Sequence, residues 1–237
     1  MANLAIPSAD DRHSKQAWRK AFGLVLSGLS QDRIAAQSIE ATGKLQTLPV
    51  YQNAASISLF LSMPNGEVQT ASIVLHALRS GKRVYVPYIR RNPSTMDMLQ
   101  LRNEEDFHSL TTDKWGIPSL SSSTVHERHN CLGYRGIDRD TALVDPAEAG
   151  LDLMLLPCVA FDEAFNRLGH GKGYYDRFLT RYFESKDKSG NAYRTPYLIG
   201  LALEEQLLRD PHRLPVEAWD HRVDAVLMGS EYRASES

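Results

Sequence analysis

Residues 156–179 constrain this chain more than any other stretch. They read Leu-Pro-Cys-Val-Ala-Phe-Asp-Glu-Ala-Phe-Asn-Arg-Leu-Gly-His-Gly-Lys-Gly-Tyr-Tyr-Asp-Arg-Phe-Leu. The apolar run Leu151 to Leu156 enters the stretch and reads as a buried strand. An amphipathic segment leaves it from Tyr174 onward, with Phe178, Leu179 and Tyr182 at helical spacing. Between the two lie Gly169, Gly171 and Gly173, interleaved with His170 and Lys172 and preceded by Arg167. Glycines admit positive φ and close approach of the backbone to a ligand. A helix start adds unpaired N–H groups and a positive dipole end. With Arg167 and Lys172, the stretch reads as an anion cradle for phosphate. It is not a P-loop, because Lys172 is followed by Gly173 rather than Ser or Thr. Nor is it a dinucleotide fingerprint, which needs Gly-x-Gly-x-x-Gly. The competing reading is a strand-to-helix turn whose glycines only relieve steric strain.

Asp176 bears on that choice. As a first-turn acid it favours the helix dipole, which is an ordinary structural role. Beside a polyphosphate it would repel unless a divalent cation lay between them. Mg²⁺ is typically held by one or two carboxylates plus substrate phosphates, so the spacing suggests a magnesium–nucleotide site.

A chain of 237 residues with 42% hydrophobic content fits one domain with a sizeable core. The formal charge is −2 with no basic stripe, which argues against nucleic acid and anionic membranes as partners. No apolar run approaches the roughly 18 residues that span a bilayer. Asp10 and Asp11 and the lack of an apolar stretch argue against a secretory signal, and no clear transit peptide directs the chain to mitochondria. The cytoplasm is the expected compartment. Cys131 and Cys158 form neither a metal pattern nor a disulfide framework.

Residues 1–13 read as a flexible tail, and 14–230 as one α/β domain. Ser14 caps a helix to about Leu26 whose stripe is Trp18, Phe22, Val25 and Leu29, and Ser30 caps a second helix through Leu45. On another face of the first helix Lys15 and Arg19 project together, read as a solvated face with Asp11 beside Lys15. Ala55 to Met63 is a strand, Pro64-Asn-Gly66 a turn, and Thr70 the cap of a helix ending at Gly81. Lys82 to Pro87 is the next strand, so the order is strand, helix, strand, as in a right-handed parallel crossover. Met96 to Arg102, Tyr197 to Leu203 and Asp224 to Met228 add further strands. The fold class is α/β: a mostly parallel central sheet flanked by helices in three layers. Residues 119–149 and 184–195 are polar and read as surface insertions, the first mobile and not needed for chemistry. His126 and His129 in the first read as solvated rather than metal-bound.

Val159-Ala-Phe-Asp followed by Arg167-Leu-Gly-His-Gly-Lys-Gly-Tyr-Tyr-Asp-Arg-Phe-Leu179 resembles the signature of 5-formyltetrahydrofolate cyclo-ligases, also called methenyltetrahydrofolate synthetases. The resemblance implies that Lys15-Gln-Ala-Trp-Arg19 binds ATP phosphates together with the run Arg167, Leu168, Gly169, His170, Gly171, Lys172, Gly173, Tyr174 and Tyr175. It implies substrate contacts at Leu61 and Glu67, at Trp115 near the pterin, and at His170 through Tyr174. It implies magnesium at Asp176 and Asp224, and catalytic parts for Lys172, Arg167 and Tyr174. Without the resemblance, Glu67 reads as a loop acid, Asp224 as the acid at the start of a strand, and Trp115 as core. His170 departs from the family, many of whose members carry Arg or Tyr there. A neutral imidazole binds phosphate less strongly, and its usual pKa of about 6.5 ties its charge to pH.

The implied reaction makes 5,10-methenyltetrahydrofolate from 5-formyltetrahydrofolate with ATP and Mg²⁺. The formyl oxygen takes the γ-phosphoryl group, giving an N5-iminium phosphate that N10 attacks. Such transfer needs positioning and charge neutralisation rather than a covalent nucleophile. The expected partners are these small molecules alone, bound by a monomer. Two alternatives stand beside it: a sugar-phosphate isomerase or CoA transferase on the same sheet type, needing no ATP, and a non-catalytic nucleotide- or folate-binding regulator.

Overall fold

A computed structural model describes residues 4–90, 95–137, 149–186 and 190–235. The helices α1 (Lys15–Ser27), α2 (Gln31–Thr47) and α3 (Pro49–Gln52) precede β1 (Ser56–Leu59). Then come α4 (Ala71–Arg79), β2 (Arg83–Ile89), β3 (Met96–Leu101), α5 (Glu104–His108), β4 (Thr111–Thr112) and β5 (Pro118–Ser119). β6 (Leu153–Leu156), β7 (Ala160–Asp162), β8 (Arg167–Leu168), α6 (Tyr174–Glu184), β9 (Tyr197–Ala202), β10 (Leu207–Leu208), β11 (Ala225–Met228) and β12 (Glu231–Ala234) complete the order. The main sheet runs β12-β11-β9-β6-β1-β2-β3. Its inner strands are parallel, and only the edges, β3 and β12, are antiparallel. This is the mostly parallel sheet read from the sequence.

Side chains alternate across that sheet, as a pleat requires. Leu153 and Leu155 join Ile57, Leu59, Val84 and Ile199 on one face, covered by Ile34, Ala41 and Leu45 of α2 and Ile73 and Val74 of α4. Met154 and Leu156 join Tyr85, Met98 and Val226 on the other, covered by Phe178, Leu179 and Tyr182 of α6. Helices on both faces make the three layers. A small sheet, β10-β7-β8, is added beside them. It is roofed by α1, whose Trp18 and Phe22 bury against Ala160, Leu168 and Leu208.

Local chemistry sets most helix starts. The Ser14 hydroxyl accepts from Ala17 N at 3.3 Å, and Ser30 accepts from Arg33 N at the same distance. Thr70 behaves differently: its hydroxyl donates to Phe60 O at 2.8 Å and ties α4 to the segment after β1.

Four expectations need correction. The strand expected over 55–63 ends at Leu59, because Phe60 to Met63 turn away toward Glu67. The tail is anchored from residue 4: Leu4 packs on the Trp18 cluster, and the Trp18 indole donates to Arg12 O at 2.9 Å. Residues 119–137 are not a surface insertion, since Leu120, Val125, Cys131, Leu132 and Tyr134 are buried. Main-chain bonds from Cys131 N to Met98 O (3.0 Å) and from Gln100 N to His129 O (2.9 Å) tie this segment to β3. Residues 138–148 of that expected insertion lie outside the described residues, as do 187–189 of the second. The rest of the second is held by Tyr193, whose hydroxyl donates to Leu132 O at 2.7 Å. Helix α3 and strand β12 were not expected at all.

Candidate functional site

From the end of β6 the chain makes a β7–β8 hairpin before it reaches the glycines. The buried Asp162 carboxylate shapes the tip, accepting from Ala164 N and Asn166 N at 3.0 Å each. The hairpin lies flat on the sheet because β9 has Gly200 there, and a Cβ would collide with the Phe161 ring. β8 thus delivers Arg167 and the glycine loop to the edge where the parallel strands end. Gly173 is the N-cap of α6 in the left-handed region, φ 61°, and Gly171 has φ 92°. A Cβ at Gly171 would also stand only 3.3 Å from Arg19 Cζ. Arg19 Nε donates to Gly169 O at 2.7 Å, so α1 is fastened to the loop.

These elements enclose a cavity of about 510 Å³. Lys15 and Arg19 line it from α1, Arg167, Gly169, Gly171 and Gly173 from the loop, Asp176 from α6, and Glu217 and Asp220 from the segment before β11. Lys15 Nζ donates to Asp220 at 2.5 Å and Glu217 at 2.7 Å. Partial burial pulls the Lys15 ammonium down, but these two carboxylates outweigh it and hold its pKa above the ordinary value. Arg167 keeps 3% of its side-chain surface in solvent and donates from Nη2 to Asp176 Oδ1 at 2.8 Å. Its Nε is buried with no hydrogen-bond partner among the described residues. A buried donor without an acceptor is costly, and Arg181 Nε, on the same cavity, and Arg83 Nε, away from it, share that state.

The other expected residues divide. Glu67 and His170 meet: buried Glu67 accepts from Met63 N at 3.0 Å, and its other oxygen faces His170 Nε2 at 3.3 Å. The C-terminal end of β1 and the glycine loop therefore share one wall. Leu61 is buried in the core on the α2 and α4 side of the sheet. Trp115 is 65% exposed, and its turn lies over the Pro64 turn, because a Cβ on Gly116 would strike the Pro64 ring. Of the two tyrosines, Tyr175 turns inward under Arg167, whose Cζ is 5.7 Å from its ring centroid. Burial and then the Glu67 charge push the Tyr175 hydroxyl up, so it stays protonated. Tyr174 lies against Arg177 at 5.4 Å. Leu168 offers only its main chain, since its side chain belongs to the Trp18 core. Lys172 is exposed at the loop tip, makes no bond among the described residues, and does not line the cavity.

The structure does not bring Asp224 to this cavity. It precedes β11 at the edge where the parallel strands begin, opposite the glycine loop, and its carboxylate accepts from Leu198 N at 2.7 Å. Asp152 does the same for β1, accepting from Ser56 N at 2.8 Å. The carboxylate that does reach the cavity beside Asp176 is Asp220, four positions earlier. It went unread because an acid at either position precedes the last parallel strand.

The donor set fits Mg²⁺. Asp176 uses Oδ1 for Arg167 and His221 N, and Asp220 uses Oδ2 for Lys15 and Glu217 N. Each retains an oxygen unbonded among the described residues. Two carboxylate oxygens completed by phosphate and water suit this ion. No group of three or more His, Cys, Asp or Glu able to hold a metal occurs among the described residues. Burial pushes the Cys131 and Cys158 thiols up, leaving them unreactive.

A model of the 5-formyltetrahydrofolate cyclo-ligase family matches residues 11–229. The chain is 32% identical over 227 residues to the 5-formyltetrahydrofolate cyclo-ligase of Mus musculus, covering 96% of this chain and 97% of that one. It is 30% identical over 192 residues to the Escherichia coli (strain K12) protein of the same name, covering 81% and 87%. In fold it is similar to the solved Aquifex aeolicus 5,10-methenyltetrahydrofolate synthetase, with TM-score 0.64 and 24% identity over 93% of this chain and 92% of that one.

Proposed function

The chain belongs to the 5-formyltetrahydrofolate cyclo-ligase family, and we propose that it converts 5-formyltetrahydrofolate to 5,10-methenyltetrahydrofolate with ATP and Mg²⁺, releasing ADP and phosphate. In this reading the formyl oxygen attacks the γ-phosphorus, and the bond from that phosphorus to the β,γ-bridging oxygen breaks. The N5 lone pair moves toward the formyl carbon, giving an N5-iminium phosphate. N10 then adds to that carbon, loses its proton to solvent, and the C–O bond breaks as phosphate leaves.

The residues divide this work. Lys15, Arg19, Arg167 and the loop N–H groups neutralise the triphosphate. Lys172, exposed beside them, closes on the phosphate chain from outside. Asp176 and Asp220 would hold Mg²⁺, which would supply charge neutralisation for the phosphates. Glu67, fixed by Met63 N and facing His170, orients the folate so that N10 reaches the formyl carbon. In the same reading Leu61 and Tyr174 contact the folate, and Trp115 approaches the pterin from its exposed turn. The same reading takes the protein as a cytoplasmic monomer without nucleic-acid or membrane partners. Among the described residues no helix is long and apolar enough to cross a membrane.

The single observation that carries the reading is the convergence of Lys15, Arg19, Arg167 and the loop glycines on one cavity with Asp176 and Asp220. The test is to mix protein, 5-formyltetrahydrofolate, ATP and Mg²⁺, omit each in turn, and follow methenyl absorbance. Product from the complete mixture alone supports the reading. Turnover without nucleotide, or in excess chelator, contradicts it.

A further inference from the structure

The three tryptophans have different surroundings. Trp18 is fully buried, Trp115 sits on the turn beside Pro64, and Trp219 is 64% exposed at the cavity wall. The exposure of Trp219 is not that of a loose loop. Asp220 N donates to Glu217 O at 3.0 Å, and Glu217 N donates to Asp220 Oδ2 at 2.7 Å, closing a turn with Trp219 near its tip. Both carboxylates are fastened to Lys15 on α1. Upstream, buried Leu214 has its amide held by Asp162 at 3.0 Å. A turn anchored at each end holds a large apolar ring in water and forgoes the burial that Trp18 obtains.

The cavity gives that ring a use. Its phosphate end is Lys15, Arg19, Arg167 and the glycines. From there it continues along one face of α6, where Arg177, Thr180, Arg181 and Glu184 follow at helical spacing. From Asp176 to Glu184 that helix rises about 12 Å, room for a nucleoside beyond its phosphates. Trp219 is the one aromatic ring among the described residues lining this trough.

We propose that Trp219 is the stacking platform for the nucleobase of the triphosphate. This inference rests on the nucleotide reading above and adds a specificity rule to it. Stacking responds to ring area rather than to the hydrogen-bonding edge of a base. The ring therefore favours purine over pyrimidine triphosphates and separates ATP from GTP only weakly.

The test compares wild type, Trp219→Ala and Trp219→Phe with ATP, GTP and CTP, measuring KM and kcat for each nucleotide and KM for the folate. In Trp219→Ala the KM for ATP rises roughly 5- to 150-fold, the change to which stacking of about 1–3 kcal/mol converts. The KM for the folate is unmoved, and the preference for ATP over CTP shrinks. Trp219→Phe keeps most of the affinity, and quenching of tryptophan fluorescence by ATP disappears with it. An unchanged KM for ATP in Trp219→Ala overturns the inference, as does a rise confined to the folate KM. Wild type that turns over without any nucleotide overturns both this inference and the function on which it rests.

Discussion

Arg128 and Arg167 each keep only 3% of their side-chain surface in water, yet their guanidinium groups are completed to different degrees. Arg128 makes a bidentate pair with Asp106 at 2.6 and 2.7 Å. It also donates to Gln100 O at 2.9 Å and to Thr124 Oγ1 at 3.1 Å. Arg167 has one carboxylate bond, an aromatic ring below it, and a buried Nε without an acceptor. A buried charge with its donors satisfied is structural. One left incomplete on a cavity wall is ready for an anion. The first fastens residues 119–137 to the sheet; the second faces the cavity beside the glycine loop.

Substituting each arginine tests the contrast most strongly. Arg167→Met should lower kcat/KM by about 10²–10³, the scale of losing one charge-stabilising donor, and should cost less stability than Arg128→Met because it breaks one carboxylate bond rather than a bidentate pair. Arg128→Met should do the reverse, destabilising by about 3–5 kcal/mol as an unpaired Asp106 is left behind, while the folded enzyme keeps its kcat/KM. Paired kinetic and denaturant measurements decide; loss of turnover in both variants would erase the distinction.

Acid sharpens the structural half. Burial pushes the Asp106 carboxyl up, but the hydrogen bonds from Arg128 outweigh it and hold the group below its ordinary 3.8. The folded value is thus the lower one, so the pair's stabilisation is complete above the unfolded pKa and is lost as pH falls through the folded pKa. The stability gap between wild type and Arg128→Met should be full above pH of about 4 and narrow below it, as read from urea midpoints across pH.

Two aspartates give the next effect. Asp220→Ala should raise the Mg²⁺ needed for half-maximal rate roughly ten-fold or more. Asp224→Ala should leave that requirement alone and cost about 1–3 kcal/mol, the loss of its bond to Leu198 N. The smallest effect belongs to Glu217, the more exposed of the two carboxylates on Lys15. Any phosphate at Lys15 competes with it, so Glu217→Gln should lower the KM for ATP by about 1.5- to 5-fold. A raised KM would mean that Glu217 helps binding.

The sequence was most readable where its chemistry is local. Ser14, the stripe of Trp18 and Phe22, and the alternation around Leu153 to Leu156 each constrain their own few residues. Gly171 and Gly173 likewise carry the positive φ that their loop requires. What stayed hidden is settled at long range. β7 and β8 are three and two residues long, too short to show a period, and their place depends on Gly200 some forty positions away. Residues 119–137 look polar because part of their burial runs through Arg128 and Asn130, and such burial is invisible until Asp106 and Asp97 are in place. Asp220 and Asp224 differ by four positions, and only the path of the chain past α1 puts the first in the cavity and the second at the opposite edge.

The central claim is that this cavity lets the formyl oxygen take the γ-phosphoryl group of ATP. Turnover of 5-formyltetrahydrofolate carrying ¹⁸O in its formyl group, with the released phosphate analysed by mass, tests it most directly. One labelled oxygen in each phosphate is the result the account predicts. Unlabelled phosphate, with the ¹⁸O recovered in water, would contradict it.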